Sequence, residues 1–296
     1  MKSLFSFFNS RKVAPYLFLL PFLTIFVVFK VWPIYTATRM SFQDVASLEK
    51  MTFVGTENYT DLADNIRFHT AVENTARYTV GILLVLVPIP LLLAVFLNSK
   101  RLAGKTFFRT MLFLPALTSL VVVGTIFRLL LNANGVVNSA VGTAGIEPQR
   151  WLEVPRYVIP AMIVMAFWRW TGINIIYFNS GLVNIPGELY EAAAIDGANR
   201  VQSFWHITLP LLRPTTIFVS TLTIIGGFQL FVEPFILFPG GRTPGDSGLS
   251  IAYLIYRTAF NSFQLGPAAA MGVVLGLIIL TFSLLQFRFF RVLKED

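Results

Sequence analysis

Residues 188–213 read ELYEAAAIDGANRVQSFWHITLPLLR and lie between two long apolar segments. Leu189 to Ile195 predicts a helix, because Ala, Leu and Glu are strong helix formers. Gly197 can adopt a left-handed backbone, so it can end that helix and turn the chain. Arg200 to Ile207 predicts a second short helix, which Pro210 should stop within a few residues. The product is a helix-turn-helix elbow. It carries a carboxylate on its first arm and the pair Phe204 and Trp205 on its second. A rigid knob of this kind suits a groove on a soluble partner.

The 296 residues are 55% hydrophobic and 13% charged. A soluble chain of this length carries more charge, so the composition indicates an all-α polytopic membrane protein. The net charge is +8. The basic residues flank apolar runs, so they read as topology determinants and not as a nucleic-acid surface. Without cysteine there is no disulfide, thiolate metal site or cysteine nucleophile. His69 and His206 lie in different loops and make no metal-ligand spacing.

Six spans are expected within a single domain, 14–290. They lie at about 14–35, 78–97, 107–131, 155–178, 215–238 and 268–290. Residues 1–13 precede the first span and 291–296 form a basic tail. The first apolar run has span length, and no small-x-small cleavage site follows it, which argues against a signal peptide. Residues 38–77 read as a polar loop with six acids and four bases. Pro88 and Pro90 should kink span two. Gly104-Lys105-Thr106 is a fragment of a phosphate-binding loop. It lacks the first glycine (Ser99 stands there) and the preceding strand, so nucleotide binding by this chain is rejected. Arg128 near the outer end of span three can snorkel. Arg169 within span four should face protein or water. Gly272 and Gly276 in span six have helix-packing spacing.

Charge sets the orientation. With both ends in the cytoplasm, cytoplasmic segments hold twelve Lys/Arg and five acids, and outer loops hold eight and nine. That bias agrees with the positive-inside rule and puts the elbow in the cytoplasm.

The elbow pattern is Glu191-Ala192-Ala193, three residues, Gly197, nine residues, Ile207, one residue, Leu209-Pro210. It resembles the EAA loop of permease subunits of binding-protein-dependent ABC importers. The resemblance covers nearly the whole chain. Phe53 to Tyr59 (FVGTENY) is similar to the segment after the first core span of carbohydrate-type permeases. KVAPYLFLLPF, PIPLLLAVFLNSK, WRWTGINIIYF, HITLPLLRPTT and IIGGFQLFVEP look most like arabinose or arabino-oligosaccharide permeases of the maltose-type superfamily. The resemblance implies a type I importer fold in the bacterial inner membrane. It makes Glu191, Ala192, Ala193, Asp196, Gly197, Ile207, Leu209 and Pro210 the coupling residues. Its implied partners are a second six-span permease, two copies of a cytoplasmic ATPase that bind ATP and Mg, and an external sugar-binding protein. No cofactor and no catalysis are implied for this chain itself.

In maltose-type relatives the sugar contacts come from spans three, four and five. Sugar recognition uses aromatic faces with hydroxyl, amide or carboxylate edges. By residue type the candidates are Thr118 and Ser119, Trp170 and Asn174, and Gly227, Gln229 and Glu233. Gly227 would supply room and not bonds. Each has an ordinary packing alternative, and for Glu233 the alternative is a structural ion pair with Arg169 or with a partner chain. The alternative is a permease for another sugar or sugar-like solute, such as a maltodextrin, a raffinose-type sugar or glycerol phosphate. A secondary transporter is the other class, but no inverted repeat is visible and one acid in six spans is sparse. A membrane enzyme would need a cluster of catalytic side chains, and none is seen.

Overall fold

The computed structural model describes residues 14–47, 50–99, 103–238 and 242–292. The N-terminal segment, Lys100 and Arg101 of the basic loop, the first residues of the GGRTPGDSG loop, and the last four residues of the tail lie outside the described residues. The chain divides into two compact units. One comprises residues 1–64 and 255–274, the other 65–254 and 275–296.

In the first unit, α1 (Ala14–Phe26) continues through a π turn (Val27–Val31) into α2 (Trp32–Met40). Residues 15–40 make one apolar helix of 26 residues whose hydrophobic window is 0% buried. Such a helix must be covered by lipid or another chain. A short antiparallel hairpin follows, β1 (Gln43–Ser47) with β2 (Lys50–Phe53), and then α3 (Glu57–Asp64). Asn58 ties the hairpin down. Its amide donates to the carbonyls of Ser41 at 2.9 Å and Gln43 at 3.0 Å. The Tyr59 hydroxyl meets Ser41 Oγ at 2.6 Å. The FVGTENY segment is therefore a structural brace.

The second unit is a helical bundle. Asn65 caps α4 (Ile66–Leu86) by accepting from the N–H groups of Arg67 and Phe68. The helix thus begins twelve residues before the expected span, in what read as polar loop. Glu73 and Arg77, one turn apart and paired at 2.5 Å, make that exposed first part polar. α5 (Pro88–Asn98) follows across Val87. Next come α6 (Lys105–Leu117), α7 (Leu120–Leu130) and α8 (Val136–Thr143). α9 (Pro155–Val183) is the longest helix of this unit and packs on α4, α5 and α6. After the elbow come α13 (Arg213–Phe228), packed on α4, and α14 (Val232–Leu237), packed on α7. α15 (Ile251–Tyr256) and α16 (Leu265–Val292) complete the described chain.

Two expected spans are not straight helices. Span three bends by 100° between α6 and α7, where Thr118 and Ser119 are extended. Span five ends as a helix at Phe228 and resumes at Val232. Gly272 and Gly276 have nothing within 4 Å of where a Cβ would sit, so the spacing marks no crossing among the described residues. The tight crossings are elsewhere. A Cβ on Gly172 would strike the Leu112 carbonyl, and one on Gly227 would strike Thr79.

The kink in span two shows how the bundle tolerates proline. Pro90 has no N–H, so the Leu86 carbonyl loses its helical partner. Asn174, buried on α9, donates its side-chain amide to that carbonyl at 2.8 Å. We predict that Asn174→Leu lowers unfolding stability by about 1–3 kcal/mol, because it leaves a buried acceptor unpaired. Thermal or denaturant unfolding of the purified chain in detergent checks this. Unchanged stability would mean that another donor replaces the amide.

Candidate functional sites: an exposed elbow and a buried polar cluster

The elbow forms as its sequence predicts, with its arms defined by caps. α10 (Gly187–Ile195) ends in a left-handed residue, Gly197, at φ +79°. Ala198 N–H donates to the Ala193 carbonyl at 2.8 Å and Gly197 N–H to the Ala194 carbonyl at 3.2 Å. This pair of bonds is the Schellman arrangement. Asn199 then opens α11 (Arg200–Ser203) through a reciprocal capping box with Gln202, at 2.9 and 2.7 Å. A π turn (Phe204–Thr208) leads into α12 (Leu209–Leu211). Pro210 does not stop the chain. It occupies the first turn of α12, where its missing N–H costs nothing, and the 66° bend falls at Leu212 before α13.

The arms are tied together by Tyr190, whose hydroxyl meets Thr208 Oγ1 at 2.9 Å. Between them lies a cup of about 360 Å³ lined by Ala193, Asp196, Gly197, Gln202, His206 and Ile207, among others. Seven of the eight coupling residues inferred from the sequence separate into two groups, and half-buried Ala193 lines the cup. Glu191, Ala192, Asp196, Gly197 and Pro210 are exposed. Ile207 and Leu209 pack against the bundle core around Leu182, Leu212 and Val219, so they anchor the elbow. The elbow also exposes apolar side chains that the pattern does not include. Ile195 is 87% exposed, Val201 65% and Trp205 59%. In the sequence, Ile195 is detectable as an apolar residue beside a polar Asp-Gly turn. The cup residue His206 carries no such signal.

The polar cluster centres on half-buried Arg169 and buried Glu233. Arg169 Nη1 donates to the carbonyls of Pro115, in the last turn of α6, and Thr118, the residue that follows the helix. A cation suits that end of a helix. Its guanidinium also lies 5.1 Å from the ring centre of Trp170. Arg169 Nε is buried without a hydrogen-bond partner. Glu233 is 8% exposed and lies in the first turn of α14. Arg169 and Tyr78 both feel its charge, yet no direct ion pair joins Glu233 to Arg169 among the described residues. Tyr78, buried on α4, was not among the sequence candidates.

The other candidates are distributed around this cluster. Trp170 is half-exposed, and Ser119 and Gln229 are exposed. Thr118 Oγ1 bonds its own helix, at the Leu114 carbonyl. Asn174 and Gly227 are engaged in packing: the first bonds the Leu86 carbonyl, and the second lies against Thr79 where α13 crosses α4. Their geometry is that of a strut and a crossing point.

The chain matches the family model described as binding-protein-dependent transport system inner membrane component, over residues 86–295. It is 46% identical to the arabinooligosaccharides transport system permease protein AraP of Bacillus subtilis, over 95% of this chain and 90% of that one. It is 33% identical to the lactose transport system permease protein LacF of Rhizobium radiobacter, covering 92% of each. The crystal structure of a bacterial ABC transporter that imports the acidic polysaccharide alginate contains a similar chain. That chain has a TM-score of 0.85 and 26% identity, with 98% of both chains covered. Fold, elbow and sequence agree: the chain belongs to the family of inner-membrane components of binding-protein-dependent transport systems.

Proposed function

We propose that this chain forms half of the translocation path of an ATP-driven importer of arabino-oligosaccharides. An external binding protein delivers the sugar, and a second six-span permease forms the other half. The observation that carries the reading is the elbow. Its arms are fixed by caps and anchored by Ile207 and Leu209, yet it presents Glu191, Ile195 and Trp205 outward. An exposed apolar knob on a rigid mount is built to be gripped by another protein.

In this reading each of two cytoplasmic ATPases, which bind ATP and Mg, seats one elbow. ATP binding closes the ATPases, and the elbows move with them. The path then turns from inward-open to outward-open against the loaded binding protein, and hydrolysis resets it. The charge bias supports a cytoplasmic side for the elbow and both chain ends. The sugar faces the polar cluster, where helices broken at Thr118–Ser119 and Gln229–Phe231 offer side chains and backbone. Glu233 is the principal contact, with Trp170, Ser119 and Gln229 flanking it. The solute assignment follows the arabino-oligosaccharide relatives, which are more similar than the lactose and glycerol-phosphate ones.

The experiment is ATPase activity of the chain co-purified with its partners in nanodiscs, with the binding protein and a sugar panel. Stimulation by an arabino-oligosaccharide is expected. Stimulation by another solute keeps the mechanism and replaces the substrate. Sugar uptake with no associated ATPase would overturn the reading.

Two substitutions probe the two sites. Gly197→Val should abolish stimulation and ATPase co-purification. A β-branched residue at φ +79° is strained by about 1–2 kcal/mol or more, although no atom lies within 4 Å of its Cβ. Gly197→Asn, which tolerates that conformation, should retain most activity. Glu233→Gln should raise the sugar concentration needed for stimulation and leave ATPase association intact. An unchanged sugar dependence would remove Glu233 from the path.

A further inference from the structure

We propose that a basic cleft at the end of the bundle opposite the elbow receives a carboxylate side chain of the external binding protein. This rests on the permease reading and names a docking contact within it. The cleft has a volume of about 470 Å³, and its lining includes Arg128, Arg150, Arg242, Trp151, Glu153 and Phe238. Arg150 and Glu153 immediately precede α9, and the elbow follows its other end. At 1.5 Å per residue, the 29 residues of α9 separate the two by about 43 Å.

Three arginines and one glutamate are among the residues that line the cleft. Arg150 pairs with Glu153 at 3.4 Å. Arg128 and Arg242 have no ion pair or hydrogen bond among the described residues. The cleft therefore carries an excess of positive charge, and each planar fork matches a carboxylate.

The wall beside Arg150 is tied down by hydrogen bonds. Buried Asn138 donates to the carbonyls of Ala133 at 2.9 Å and Gln149 at 2.8 Å. It accepts from Gln149 N–H at 3.0 Å and from Trp151 Nε1 at 2.8 Å. Trp151 packs on Tyr157 at 5.2 Å between ring centres, and the Tyr157 hydroxyl donates to Gln149 Oε1. One side chain thus holds the loop from 132 to 151 in place. Such order is unneeded for arginines that merely meet water. The three arginines are exposed, so a small anion alone would bind weakly there. A protein surface adds contact area around the same charge and gains steering from it.

The test uses the full complex of both permeases and ATPases in neutral-lipid nanodiscs, titrated with sugar-loaded binding protein. Arg128→Glu combined with Arg242→Glu should raise the half-maximal binding-protein concentration about tenfold or more at low salt. The same change should flatten its salt dependence and leave ATPase activity without binding protein unchanged. Lysine at both positions should retain most of the wild-type response. A half-maximal concentration and salt dependence equal to wild type would overturn the inference. So would a shift confined to the sugar dependence, which makes the cleft a sugar subsite. An effect seen only in anionic-lipid nanodiscs makes it a lipid site and also overturns the inference. A wild-type complex that ignores the binding protein would overturn the permease reading itself.

Discussion

Within a bilayer, every backbone carbonyl released from a helix must find a donor inside the protein, because lipid offers none. Among the described residues the spanning helices break or kink at three points that each have a named donor. Asn174 donates to the Leu86 carbonyl opposite Pro90. Arg169 donates to the Pro115 and Thr118 carbonyls at the end of α6. Ser250 donates to the Leu230 carbonyl in the gap between α13 and α14. Two of these donors sit five residues apart on α9, so one helix stabilises irregularity in two of its neighbours. The same helix ends at the elbow. The broken backbone that suits a solute path and the knob that suits a motor are thus mounted on one member.

Much of this was legible in the sequence, for physical reasons that differ by site. The elbow was legible because its conformation is locally encoded: Gly197 at positive φ, Asn199 with Gln202, and Ala and Glu in the first arm all act within a few residues. The apolar runs and the charge bias were legible because the bilayer imposes them. The breaks at Thr118–Ser119 and Gln229–Phe231 were not, since neither contains proline and both depend on donors from distant segments. The start of α4 was hidden by the polar character of its first turns, which an Asn65 cap makes helical all the same.

The polar cluster was only half legible. Glu233 and Arg169 stand out as charges in apolar runs, whereas Tyr78 looks like any aromatic residue in a span. Asn174 and Gly227 carry the residue types of a sugar site, yet they serve the packing of α9 and of α13 on α4. An amide in a membrane helix is equally suited to a hydroxyl and to an orphaned carbonyl, and only the neighbouring proline distinguishes the two uses. Pro90 lies four residues after Leu86, and that spacing was available from the sequence.

The central claim is that the elbow is the surface on which an ATPase acts. The chain contains no cysteine, so Ala192→Cys introduces its sole thiol, at an exposed position on the first arm. A photo-activated cross-linker attached there and irradiated in the purified complex should capture the ATPase subunit, with a yield that changes when ATP is added. Cross-links that never include an ATPase, in cells whose sugar uptake is intact, would contradict the account.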